Sequence, residues 1–173
     1  ALRATPPYEQ HAFDILAQAP GPTRRGTGRV GELAEALTLC EFVERAAAVL
    51  PSTASGVRAA GDPDRTVRTV AVCGGSGGSL AEAARVAGAD AYLTADLKHH
   101  PVLEAVTERG GSGMALVDAA HWATEAPWLD VVADRLRGRF GTTVDIQVSK
   151  HVTDPWTLHS SSPRPSEHSP NEK

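Results

Sequence analysis

Apolar and polar positions fall into two regimes along the chain, and the change between them comes near Val67. Before it, Leu39, Phe42, Val43, Ala46, Val49 and Leu50 recur at helical spacing, and Thr38 with Glu41 forms a T-x-x-E capping box ahead of them. That pattern predicts an amphipathic helix stopping before Pro51. After it, short apolar runs alternate with helical segments, the signature of an α/β fold with a mostly parallel sheet. Strands are expected at Val67–Cys73, Ala91–Thr94, Met114–Val117 and Thr143–Val148, the last alternating Val144, Ile146 and Val148 with polar residues as a half-exposed edge would. The intervening helices take their starts from Ser79 with Glu82, a second capping box, from Pro101 and from Pro127, and the first two end near Gly88 and Gly110.

The flanks read differently. Phe13 and Ile15 alternate as in a short strand, which needs a pairing partner from residues preceding Ala1 or from another chain. Gly21 to Gly31 reads as a linker, and beyond Pro155 the chain turns to Ser, Pro, His and charge, so 159–173 is expected to be disordered.

Strand-to-helix connections in such a sheet gather at one edge, where ligands bind. Three polar segments follow strands in that sense: Gly74-Gly75-Ser76-Gly77-Gly78, Asp96-Leu97-Lys98-His99-His100, and Asp118 to Glu125. In the third, His121 and Glu125 are four residues apart, so on a helix both side chains leave one face and can reach one metal ion. Two donors do not complete a site, and Asp96, His99 and Asp118 are candidate partners, with Lys98 beside them. Mixed imidazole and carboxylate donors suit zinc, iron or manganese. The competing reading makes His121 an ordinary helix-start histidine and Glu125 a solvated first-turn acid.

The glycine run has three readings. It fits G-x-S-x-G between strand and helix, the context of a serine nucleophile at Ser76. It can cradle a phosphate through backbone N–H groups, although no G-K-[ST] follows. It can also be a tight turn that needs glycine for its backbone angles. In the second segment adjacent side chains diverge, so His99 is the better candidate for the site, and His100 is expected as a helix cap or surface residue.

Composition narrows the function classes. A chain of 173 residues with a formal charge of -4 gives no general electrostatic reason to seek nucleic acid, and Arg24, Arg25 and Arg29, like Arg135, Arg137 and Arg139, read as solvated surface. No apolar run approaches a bilayer span and no secretory signal opens the chain. Two cysteines, Cys40 and Cys73, in different elements fit a reducing cytoplasm rather than a disulfide framework.

The segments Cys73 to Ser79, Thr94 to His100 and Asp118 to Glu125 resemble, in order, the C-terminal lobe of the NGG-interacting-factor-like family, whose members go by the name GTP cyclohydrolase 1 type 2 homologues. Pro7 to Ile15 and Gly26 to Leu33 look like the exit from that family's inserted ferredoxin-like middle domain. The resemblance implies residues 1–25 as the end of the insert and 26–153 as the C-terminal α/β metal-binding lobe of a truncated member, with 154–173 left by its composition as a disordered tail. It implies a cytoplasmic toroidal homohexamer with two divalent metals per intact subunit, and a metal-activated water attacking a purine-type nucleotide such as GTP. By the matching motif His121 and Glu125 are the ligands of this lobe. The family's other ligands, an adjacent histidine pair and an aspartate, belong to an N-terminal lobe that nothing here matches. His99-His100 stands in the C-terminal motif's context and does not inherit that role.

Overall fold

The computed structural model describes residues 26–111 and 113–160. The strand pattern expected around Phe13 and Ile15 lies outside the described residues. A five-stranded sheet has the order β1-β3-β4-β5-β2. Its parallel centre is β3 (Thr66–Ser76), β4 (Ala91–Ala95) and β5 (Ala115–Ala119). These strands are apolar on both faces, and successive residues feed different cores. Val70, Ala91 and Val117 pack with Leu39 and Phe42 of α1 (Leu39–Val49), whereas Ala71, Tyr92 and Leu116 pack with Ala84 of α2 (Ala81–Val86) and with Val102 and Ala105 of α3 (His99–Gly111).

Both strands flanking that centre went unread in the sequence. β1 (Arg29–Thr38) runs antiparallel to β3, so the last residues of the expected linker, Arg29 to Gly31, are strand. β2 (Val57–Ala60) runs antiparallel to β5. β1 is largely exposed and its register shifts between Glu32 and Leu37, and β2 has only four residues, so neither shows a sustained alternation. Conversely, the strand expected at 143–148 does not form. β1 and β2 already occupy both positions beside the parallel core, and the segment is tied instead to α4 (His121–Phe140) by Arg137 donating to the Ile146 carbonyl at 3.0 Å.

Helix starts divide in the same way. Thr38 does cap α1: its hydroxyl accepts from Glu41 N–H at 3.2 Å while Thr38 N–H donates to the Glu41 carboxylate at 2.7 Å. That bond, with a second from the Thr38 hydroxyl, lowers the Glu41 pKa. Thr38→Ala is expected to destabilise the domain by about 1 kcal/mol, as loss of an N-cap does, measurable as a shifted urea midpoint at constant slope. An unmoved midpoint would show the cap to be redundant.

The box expected at Ser79 and Glu82 is absent. A 3-10 turn at Gly78–Leu80 leads into α2, no side chain caps it, and Glu82 is drawn to Arg85 at 2.5 and 2.6 Å. Pro101 lies in the first turn of α3 rather than opening it, and His100, inside the helix rather than its cap, is exposed, the surface residue that the expectation allowed. Proline is tolerated there because the first N–H groups of a helix have no partner to lose. Pro127 does not start a helix either: α4 begins at His121 and continues through it.

Candidate metal centre

All three strand-end segments converge, as the parallel centre requires. β5 ends at Ala119, and Ala120, with extended backbone, turns the chain so that His121 is the first residue of α4. β4 ends at Ala95, and Asp96 follows with φ +57, a left-handed conformation that aspartate accepts more readily than most residues. That turn carries the Asp96 carboxylate to 2.6 Å from His121 Nδ1. The other ring nitrogen, Nε2, is 3.3 Å from Glu125 Oε1, one helical turn on.

The separation of those two donors can be checked against coordination geometry. Tetrahedral bonds of ~2.1 Å from imidazole and carboxylate place their donor atoms about 3.4 Å apart, so the pair has the dimensions of one edge of a zinc-like polyhedron. Asp96 on Nδ1 directs the Nε2 lone pair outward, as the carboxylate partner of a metal-binding histidine does. His121, Glu125 and Asp96 are each about half exposed, so the edge lies on an open rim. Among the described residues no group of three or more His, Cys, Asp or Glu side chains is arranged to hold a metal. The residues therefore fit part of a site, a two-donor edge.

Asp96 is also the first cause of a raised His121 pKa; partial burial opposes the rise and the Glu125 charge adds to it. The imidazolium is favoured by the fold, so its contribution to stability is complete below the unfolded histidine value of about 6.5 and is lost as pH rises through the elevated folded value. A metal needs the neutral ring, so proton and metal compete for Nε2. Asp96→Asn is expected to lower the His121 titration midpoint, read from its ring protons by NMR, and to weaken metal binding by about 10–100-fold. A midpoint unchanged by the substitution would show that the hydrogen bond does not govern the ring.

The glycine loop forms the wall behind the pair. Gly75 has φ +67, and a Cβ there would lie 2.5 Å from Glu125 Oε1 and 3.0 Å from His121 Nε2. Thr124 fastens the loop to α4 by accepting from Gly75 N–H at 2.8 Å and donating to the His121 carbonyl at 2.8 Å. Thr94, fully buried, accepts from Gly77 N–H and donates to the Gly75 carbonyl, both at 2.9 Å, and the Tyr92 hydroxyl donates to the Gly77 carbonyl at 2.8 Å. Burial also raises the Tyr92 pKa. Two loop amides are thus engaged by threonines, which makes the run a close-approach turn. No ring nitrogen of His121 is turned to Ser76, since Nδ1 bonds Asp96 and Nε2 faces Glu125.

Of the other candidates, Asp118 acts at one remove. Its Oδ1 accepts from Leu97 N–H at 3.2 Å, bracing the turn that carries Asp96, and its Oδ2 receives Arg58 at 2.6 and 2.8 Å. Lys98 and His99 line an adjoining depression with Leu97, Val102 and Leu103, which shares Arg58 and Asp118 with the cleft over His121 and Glu125. The His99 and His100 rings meet edge to face at 5.2 Å. Sequence reasoning missed Thr94, Tyr92, Thr124 and Arg58. The first three stand in or beside the quoted motifs, yet nothing in their spacing announces that they tie the loop down.

A cleft of about 680 Å³ opens over the edge, lined by His121, Glu125, Asp96, Asp118, Arg58 and Trp122, and by 153–156 from the segment after α4. Residues 154–160, expected as the start of the tail, contain no helix or strand, and 161–173 lie outside the described residues.

Fold and site together define an α/β domain with helices on both faces of its sheet and a histidine–carboxylate pair on the strand-end rim. The chain belongs to the Duf34/NIF3 (NGG1p interacting factor 3) family, whose profile matches residues 3–155. It is 52% identical over 158 residues to a Mycobacterium leprae protein named GTP cyclohydrolase 1 type 2 homolog, covering 91% of this chain and 40% of that one. A Streptomyces coelicolor protein of the same name is 58% identical over 139 residues, covering 79% and 48%. Among solved structures, a Bacillus cereus protein related to NIF3 superposes with a TM-score of 0.68 at 31% identity, covering 78% of this chain and 36% of that one. The chain thus spans less than half the length of each of these relatives. Among the described residues no helix is long and apolar enough to cross a membrane.

Proposed function

We propose that this chain is the C-terminal lobe of a metal-dependent hydrolase of the GTP cyclohydrolase 1 type 2 homologue kind, contributing His121 and Glu125 to a dinuclear divalent-metal centre. The observation that carries the reading is the 3.3 Å separation of Nε2 and Oε1, with Nδ1 already held by Asp96. A rotamer of His121 fixed by hydrogen bond and a carboxylate one turn away make an edge prepared before any ion arrives, which limits the ordering cost of binding. When bound, a divalent ion supplies Lewis acidity that makes water a competent nucleophile near neutral pH. Asp96 keeps the Nδ1 proton in place, Gly75 leaves room for both donors, and Asp118 holds the turn on which Asp96 sits.

The other ligands are assigned to residues outside the stretch described, in keeping with the share of the relatives' length that it spans. Zinc, iron and manganese all suit this donor pair. The intact protein is proposed as a cytoplasmic homohexamer acting on a purine-type nucleotide. Calorimetric titration of the apo protein at its relatives' full length with zinc, iron(II) and manganese(II) tests the centre, and ring opening of GTP by the same protein, with and without chelator, tests the reaction. Metal uptake without turnover would leave a metal-binding, ring-forming interaction protein as the function; absence of uptake would remove the centre itself.

A further inference from the structure

Residues 144–148 have the makings of a strand and no neighbour. From Val144 to Ser160 the backbone contains no helix, strand, turn or bend. Val144, Ile146 and Val148 alternate with Asp145 and Gln147, and Gln147 Nε2 donates to Asp145 Oδ2 at 2.8 Å, as side chains two apart on one strand face can. In extended backbone the N–H and C=O of one residue point to the same edge, and those of the next residue to the other. Arg137 of α4 donates to the Ile146 carbonyl, so Asp145 and Gln147 turn their backbone groups to the opposite edge. Among the described residues nothing accepts from their N–H groups or donates to their carbonyls.

The ground beside that edge is apolar and open. Val148 and Ser149 line a hollow of about 410 Å³ with Val49, Leu50, Trp122 and Leu129. Ser149 continues into a second, of about 630 Å³, which Trp128 and Glu125 also line. Val49 is 75% exposed and Val144 54%. An open edge next to uncovered apolar side chains is a template for strand addition. The parallel core offers it no place, because β1 and β2 fill both flanking positions. The second hollow reaches Glu125, one of the two donors that lack the rest of their ligand set, so whatever covers this face also stands beside the incomplete edge. The chain spans less than half the length of the relatives named above, and the centre proposed for it takes its other ligands from the remainder.

We propose that the open edge of 144–148 pairs with a strand from that remainder of the polypeptide, the portion that brings the other metal ligands to His121 and Glu125. This deepens the dinuclear-centre reading and rests on it. Asp145 and Gln147 hold the incoming strand by backbone hydrogen bonds, and its own alternating apolar residues extend the layer of Val144, Ile146 and Val148. Covalent connection keeps the two at high effective concentration, so a short edge suffices.

Hydrogen exchange, read amide by amide on the protein at its relatives' full length, tests the pairing, with zinc titration in parallel. The amides of Asp145 and Gln147 are expected to exchange at least about 100-fold more slowly than unstructured chain. Gln147→Pro deletes one of the two donors and should return Asp145 to the unstructured rate, whereas Gln147→Ala keeps the N–H and should leave it slow. Cross-linking from Lys150 in a mixture of light and heavy protein should join positions of one polypeptide, with the second position outside this stretch. Free exchange at both amides, protection that survives Gln147→Pro, or cross-links found only between light and heavy chains, which would make the occupant a second copy, would overturn the inference. Protection without zinc uptake would support the docking and strike the metal reading; zinc uptake with free exchange at both amides would do the reverse.

Discussion

Replacing His121 with alanine is expected to reduce zinc or manganese affinity by more than about 100-fold, beyond what loss of an outer partner costs, because one of only two donors disappears. The fold should tolerate the change. His121 is the first residue of α4 and its side chain is about half exposed, so alanine there disturbs no packed core. Thermal unfolding of the apo protein is therefore expected within about 0.5 kcal/mol of the parent, apart from the small pH-dependent share that the Asp96 bond contributes. The GTP ring opening proposed for the protein at its relatives' length should vanish with the metal. His99→Ala is the matched control: that ring lines another depression, and uptake should be unaffected. Retained uptake in His121→Ala, or equal losses in both variants, would disprove the assigned edge.

The second large effect separates two glycines two positions apart. At Gly77 an added Cβ would overlap Thr94 Oγ1 and the Tyr92 hydroxyl and lie 3.0 Å from Cys73 Cβ, all on buried residues. None of these can give way without breaking the bonds that Thr94 and Tyr92 make to the loop. Gly77→Ala is expected to destabilise the domain by about 3 kcal/mol or more. At Gly75 the added Cβ meets the ends of Glu125 and His121, exposed side chains that can swing aside. Its stability cost is then mainly the left-handed backbone, about 1–2 kcal/mol, whereas metal binding should fall sharply because the two donors are forced apart. Denaturant midpoints and metal titrations on both variants check the split. A Gly75→Ala chain with parental metal affinity would show that the loop does not confine the pair.

Both predictions depend on features with different visibility in the sequence. The His121–Glu125 spacing, the Thr38–Glu41 cap and the apolar runs of β3, β4 and β5 are local periodicities, and each formed at or near its expected place. The second cap failed because Arg85 competes for Glu82. The strand at 143–148 failed because pairing is decided by which backbone occupies the neighbouring position, and β1 and β2 reach those positions from distant parts of the chain. Asp96 was a candidate by type, but only its φ of +57 brings it to Nδ1, and only Asp118 on Leu97 N–H explains how that turn is held.

By itself the sequence determined the α/β class, the parallel centre and the rim on which the polar segments meet, since hydrophobic period and strand-to-helix order dictate these locally. Tertiary structure decided which members of the rim touch. It put Asp96 on the histidine and His99 elsewhere, drew the glycine turn against α4 through Thr124, and folded 153–156 over the cleft. The reason is geometric: contacts between residues dozens of positions apart depend on crossover, register and one left-handed turn, and no repeat along the chain encodes them.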